Sequence, residues 1–153
     1  MPKIFLLLSF SCLFFLCTIE AQVPIEFIEN QGQWDAPFSY KGSAKSGDIY
    51  LRKNGFTIFL SDVANAAKID AVHHGGKLVS ETLNYHAYKV NFLNSNSSVT
   101  TSQEKSQKHY YNYYLGADRS KWKHAIHPSL AVNYNKLYDG IDMHVYSENN
   151  NIN

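Results

Sequence analysis

Apolar and polar positions along this chain fall into short alternating runs, with no sustained 3.6-residue repeat and no internal repeat. Val23–Asn30 reads V-P-I-E-F-I-E-N, with Ile25, Phe27 and Glu29 on one side and Glu26, Ile28 and Asn30 on the other. That predicts an imperfect strand entering a turn at Asn30-Gln31-Gly32-Gln33, and Phe38–Lys41 predicts a short second strand. The best local signal is the hairpin Asp48–Arg52 and Phe56–Leu60 around Asn54-Gly55, because both turn residues tolerate positive φ. Asp62–Ala67 predicts one helical turn, and His73-His74-Gly75-Gly76 a loop. Tyr85–Phe92 alternates as a half-buried strand. Asn94–Lys108 has Val99 as its one aliphatic residue and no aromatic, which predicts a solvated loop. An aromatic strand-like run, His109–Gly116, and a polar turn, Asp118–Trp122, follow. Leu130–Tyr134 and Ile141–Tyr146 read as two further strands, joined through Leu137-Tyr138-Asp139-Gly140.

The predicted fold class is mostly β: a single sandwich-like or irregular antiparallel domain of seven or so strands with short helical turns. The chain stops soon after Tyr146, which leaves its last good strand near an edge and the domain incomplete at its C-terminus.

The first residues carry a different pattern. Lys3 precedes an apolar run from Ile4 to Cys17, and Thr18-Ile19-Glu20-Ala21 ends on a small residue. This is the order of a cleaved secretory signal, and the run falls short of the roughly 20 residues a spanning helix needs. The expected organisation is a signal peptide over 1–21 and one β-rich module over 22–153, exported, secreted or at the cell surface, and not membrane-spanning after cleavage. Neither Cys12 nor Cys17 has the flanking residues of a lipid-attachment site.

Both cysteines lie in that signal, so the module has no disulfide and must be stabilised by apolar and aromatic burial. Its 11 tyrosines and the 5 phenylalanines outside the signal suit strands. A net charge of +1 with no basic block gives no footprint for nucleic acid or an anionic membrane.

Candidate chemistry is sparse. His124 and His127 have a chelating spacing on a helix, but Pro128 follows, and no His-Glu-x-x-His pattern exists; solvated histidines are the expectation, with no metal. Asp139 and Asp142 could be cast as a carboxylate pair, but a turn acid and a strand-face acid is the favoured account of them. There is no G-x-S-x-G elbow and no phosphate-cradling glycine loop, so no catalytic residue, enzyme activity or cofactor is expected. Asn96-Ser97-Ser98 matches a glycosylation sequon, which matters only in a eukaryotic secretory route. The stronger alternative is ligand stacking on Tyr111, Tyr113 and Trp122, since such rings pair an apolar face with a polar handle. Alternation puts Tyr111 with Tyr113, and Tyr110 with Tyr114 on the opposite face. Core packing is the favoured use of these rings, and Trp34 and Trp122 are expected packing anchors.

Three segments carry a resemblance: Phe27–Asp35 (FIENQGQWD), Tyr111–Trp122 (YNYYLGADRSKW) and Val132–Asp142 (VNYNKLYDGID). In order and content they resemble the N-terminal β-rich domain of large exported Bacteroidetes proteins. Those proteins carry SBBP-type propeller repeats, PKD-like modules and a gliding-motility-associated C-terminal sorting domain. The hairpin at 48–60 and the strand at 86–92 fit the same pattern. The resemblance implies a non-enzymatic cell-surface or secreted accessory module, with no catalytic residues to carry over. Relatives continue past Tyr146–Asn149, so the chain reads as a truncated member. Surface proteins or glycans are the partner classes it suggests, with carbohydrate binding and a hydrolase fragment as alternatives.

Overall fold

The computed structural model describes residues 24–44, 47–62, 75, 82–148 and 151–153. The expected signal peptide lies outside them, as do the helical turn at 62–67 and the loop at 73–76, apart from Asp62 and Gly75.

The described residues form a curled antiparallel sheet and a small two-stranded one. The strands are β1 (Phe27–Glu29), β2 (Tyr40–Ala44), β3 (Gly47–Arg52), β4 (Gly55–Ser61), β5 (Tyr85–Asn91), β6 (Thr100–Ser106), β7 (Tyr111–Tyr113), β8 (Lys123–Ile126), β9 (Ser129–Tyr138), β10 (Ile141–Glu148) and β11 (Asn151–Ile152). The main sheet runs β11-β10-β9-β1-β2-β3-β4-β5, with β6 also paired to β9, while β7 and β8 pair with each other. A single 3-10 turn spans Arg119–Lys121. The mostly antiparallel β architecture predicted from alternation is what forms.

The core sits inside the curl. Phe27, Tyr40, Leu51, Val132 and Tyr134 are almost wholly buried there, one inward residue in two along each strand. Each such side chain is worth about 1.5–3 kcal/mol of burial. Tyr134 donates its hydroxyl to the Arg52 carbonyl at 2.9 Å, so its one polar atom is satisfied, and burial pushes its phenol pKa well above the usual range. The Gly42 Cα passes over Ile49, Ile25 and Phe27 so closely that a Cβ would lie 2.9 Å from Ile49.

Four expectations change. Tyr85–Asn91 does form a strand, but it is not half-buried: Val90 alone among its residues is even partly buried. The segment 94–108 is not all loop: β6 pairs with β9 through six registered positions, from Thr100↔Asn135 to Ser106↔Ser129. It is held by its backbone, and because most of its side chains face water they can be polar. Val99 is buried and anchors its start. The hairpin loop is Lys53-Asn54 rather than Asn54-Gly55, since Arg52 pairs with Gly55. Gly55 carries the positive φ, +150°, where a Cβ would sit 2.0 Å from the Val90 carbonyl oxygen. Finally, the Tyr110–Tyr114 rings do not fill the main core: Tyr110 is 57% and Tyr114 54% exposed.

The edge expected at Ile141–Tyr146 is partly covered. β11 pairs with Ser147 and Glu148, and Asn153 bonds Tyr146 in both directions.

Candidate functional site

One face of the sheet is the core; the opposite face of β2–β5 carries the site. Register places Lys41, Tyr50, Thr57 and Lys89 side by side in a single cross-strand row. Ile49 and Leu51, flanking Tyr50, point into the core, so Tyr50 must face outward. Arg52 shares that outer face one step along the strand.

The loop between β1 and β2 lies over this row, and the Asn30 side chain builds it. Asn30 Oδ1 accepts from the Gly32 and Trp34 amides at 3.1 and 3.3 Å. Its Nδ2 donates to the Trp34, Ala36 and Phe38 carbonyls at 3.1, 3.1 and 3.2 Å. Gly32 takes φ +100° to allow the reversal. Buried Gln33 locks the same turn by donating to the Glu29 carbonyl and accepting from the Gln31 amide. The loop therefore presents Trp34 and Phe38 as a wall. Between wall and sheet lies a groove of about 660 Å³, within the range of small-ligand sites. An adjoining hollow of about 420 Å³ shares Pro37, Phe38 and Arg52 with it and reaches Lys89.

The rings form a continuous chain. Tyr111 meets Tyr113 at 6.5 Å, Tyr113 meets Trp34 at 5.0 Å, Trp34 meets Phe38 at 5.5 Å, and Phe38 meets Tyr50 at 5.0 Å between centroids. Edge-on and tilted contacts of this kind add about 0.5–1.5 kcal/mol each beyond burial. Tyr113 thus buttresses the groove wall from behind.

Charge in the groove is mainly positive. Lys41 Nζ pairs with Asp48 at 3.1 Å and lies 5.7 Å from the Tyr50 centroid. The Tyr50 hydroxyl donates to the same carboxylate at 3.0 Å. Burial, then the Asp48 charge, pushes the Tyr50 pKa up to about 12, so the phenol keeps its proton at neutral pH. Arg52 donates to the Val90 carbonyl at 2.9 Å and to the side-chain oxygens of Asn91 and Asn54 at 3.0 and 3.2 Å. All of these acceptors are neutral. Its Nε is buried and has no partner among the described residues.

The three residues expected to stack a ligand are not brought to one surface. Tyr111, 38% exposed, donates its hydroxyl to Glu26 at 2.9 Å, and burial raises its phenol first, with Glu26 adding to the shift. Tyr113 faces Trp34 as described. Trp122 belongs to a second cluster, edge-on to Tyr114 at 5.3 Å, with Arg119 5.3 Å from its ring and its Nε1 donating to the Gly116 carbonyl at 3.2 Å. Asp118 organises that cluster by accepting from Ser120, which holds its carboxyl below the usual range.

The remaining candidates have structural partners. Asp142 accepts the Lys136 amide at 2.6 Å, where Lys136 takes φ +57° and the β9–β10 register shifts. Asp139 accepts from Asn96 at 3.3 Å. The sequon amide of Asn96 also donates to the Lys136 carbonyl at 3.0 Å. His124 contacts the Tyr114 hydroxyl at 3.1 Å, and His127 meets the Gln107 and His109 carbonyls at 3.1 and 3.0 Å. No cluster of three or more metal-ligating side chains occurs among the described residues.

Sequence reasoning missed Phe38, Tyr50 and the role of Asn30, and took Trp34 for packing alone. The hairpin register, once drawn, puts Tyr50 beside Thr57, and that was the available signal.

No curated protein and no solved structure matches this chain. Residues 27–153 match a domain of unknown function, DUF7948. That match runs from the first residue of β1 to the last residue of the chain and takes in the groove and both aromatic clusters, so the chain belongs to the DUF7948 family.

Proposed function

We propose that this chain is an exported, non-enzymatic accessory module, secreted or held at the cell surface, that acts by binding through the Trp34–Phe38–Tyr50 groove. The observation that carries this reading is the groove itself: a concavity of about 660 Å³ walled by rings and prearranged by Asn30. Preformed concave sites with aromatic walls and a few placed polar groups are the usual form of ligand sites. Asp139 and Asp142 support a non-catalytic role, because each holds local structure.

Export is supported by the signal-like pattern of residues 1–21. Among the described residues no helix is long and apolar enough to cross a membrane. The resemblance of the 27–35, 111–122 and 132–142 segments supports a setting among Bacteroidetes surface proteins.

Carbohydrate binding is a second reading, favoured by one observation: Trp34 and Tyr50 bound one groove, whereas Trp122 packs in a different cluster from Tyr111 and Tyr113. Expression of the tagged chain in a Gram-negative host, with fractionation and intact-mass measurement, tests export. A product beginning at Gln22 outside the cytoplasm is expected, and an uncleaved cytoplasmic product contradicts it. A glycan and protein array comparing Trp34→Ala with Trp122→Ala tests the site. Loss of binding in the first variant alone is expected.

A further inference from the structure

We propose that the groove takes an acidic saccharide chain, its ring faces stacked on Trp34 and Tyr50 and its carboxylates or sulfates met by Lys41, Arg52 and Lys89. This rests on the reading of the chain as a binding module and names its ligand class.

Charge complementarity is the first argument. The two adjoining hollows are lined by Lys41, Arg52, Lys53 and Lys89 against one acid, Asp35, which pairs with Lys121 at 3.2 Å. Lys41 has Asp48 as a partner, Arg52 contacts only neutral oxygens, and Lys53 and Lys89 have no ion pair among the described residues. The whole chain carries a net charge of only +1, so this concentration of cations is local.

Span is the second. Lys41 and Lys89 lie in one row on β2 and β5, three strand spacings apart, or roughly 14 Å. One small anion cannot touch both, whereas a chain with repeating charge can. The rings give the third argument. Trp34 and Tyr50 line the larger hollow, and Phe38 lines both, which suits flat, hydroxylated rings with an apolar face.

The larger hollow lies on a sheet face, over β2, β3 and β4, whose backbones are paired on both sides, so an acidic peptide lying in it would find no strand edge there; β5, which carries Lys89, ends the sheet order among the described residues. The local charge is also small and mixed with Asp35 and Asp48, unlike the extended basic stripe that nucleic acid requires.

Affinity electrophoresis of the protein through gels holding polygalacturonate, chondroitin sulfate, dextran, poly-L-glutamate or single-stranded DNA tests the inference. Retardation by polygalacturonate, chondroitin sulfate or both is expected; the first alone means carboxylate recognition and the second alone sulfate. Lys41→Gln with Lys89→Gln should weaken retention about tenfold, the effect of losing charge-assisted contacts. Lys105→Gln with Lys108→Gln removes the same charge outside the groove and should change retention less than about twofold, as for a screened distant charge. Circular dichroism confirms that both double variants fold. Equal loss in the two double variants overturns the proposal, as does equal retention by poly-L-glutamate or DNA, or no retention by either acidic saccharide. Binding of neutral dextran that depends on Trp34 also overturns it, while leaving the binding-module reading intact.

Discussion

Asn30 and Trp34 are bound reciprocally: the Asn30 Oδ1 accepts the Trp34 amide at 3.3 Å while its Nδ2 donates to the Trp34 carbonyl at 3.1 Å. One side chain therefore fixes both ends of the residue that walls the groove. The same amide group reaches on to Ala36 and Phe38, so the position of two aromatic rings depends on it.

Asn30→Asp keeps the acceptor and removes the donor, placing a carboxylate against three carbonyl oxygens. Because unmade hydrogen bonds at partly buried groups cost about 1–3 kcal/mol, we expect a loss of about 2 kcal/mol or more in urea unfolding. Trp34 fluorescence should shift towards that of a solvated indole. An unchanged midpoint and spectrum would remove Asn30 from its organising role.

Gly55→Ala places a Cβ into the Val90 carbonyl at a φ of +150°. Backbone strain of this kind costs about 1–3 kcal/mol before the clash is counted. The β3–β4 hairpin and the β4–β5 pairing should both loosen, and amide exchange at Phe56 and Val90 should accelerate. Gly140→Ala, with nothing within 4 Å of its Cβ position, should cost only the strain of its φ of +72°.

Tyr50 gives a pH signature. Its folded pKa, about 12, lies above the ordinary value of 10.0, so the folded state favours the neutral phenol. The stability this contributes is complete below pH 10.0 and is lost as pH rises towards about 12. Thermal melts between those limits should show wild-type stability falling more steeply than that of Tyr50→Phe, which has no phenol to ionise there. Parallel slopes would contradict the shift.

Asp142 distinguishes structure from chemistry. Asp142→Ala should cost about 1 kcal/mol by orphaning the Lys136 amide, whereas Asp142→Asn keeps an acceptor and should stay close to wild type. Hydrolytic activity abolished by Asp142→Asn in a folded protein would overturn the non-enzymatic reading.

Much of the β architecture was legible because alternation reports which side chains are buried: Ile49, Leu51 and Val132 sit where period-two reading puts them. β6 was not legible because a strand with mostly solvated side chains leaves no hydrophobic trace, only backbone bonds to β9. The hairpin was readable and its turn was off by one residue, since Gly55 is needed for close approach to β5 rather than for the loop itself. The groove was hidden for a related reason. Trp34 and Tyr50 are sixteen positions apart and meet through Phe38 only when β1, β2 and β3 pair. The Tyr110–Tyr114 run stands out by density, but three of its four rings, Tyr110, Tyr111 and Tyr114, are exposed.

The protein's two tryptophans separate the alternatives most directly, because Trp34 lines the groove and Trp122 lies in the other aromatic cluster. Two-dimensional ¹H–¹⁵N NMR of the two indole N–H groups during titration with polygalacturonate and chondroitin sulfate reads both sites at once. A saturable shift of the Trp34 signal, with the Trp122 signal held in place by its bond to Gly116, is the predicted result. A shift of Trp122 with Trp34 unmoved would place binding elsewhere and contradict the assignment of the groove.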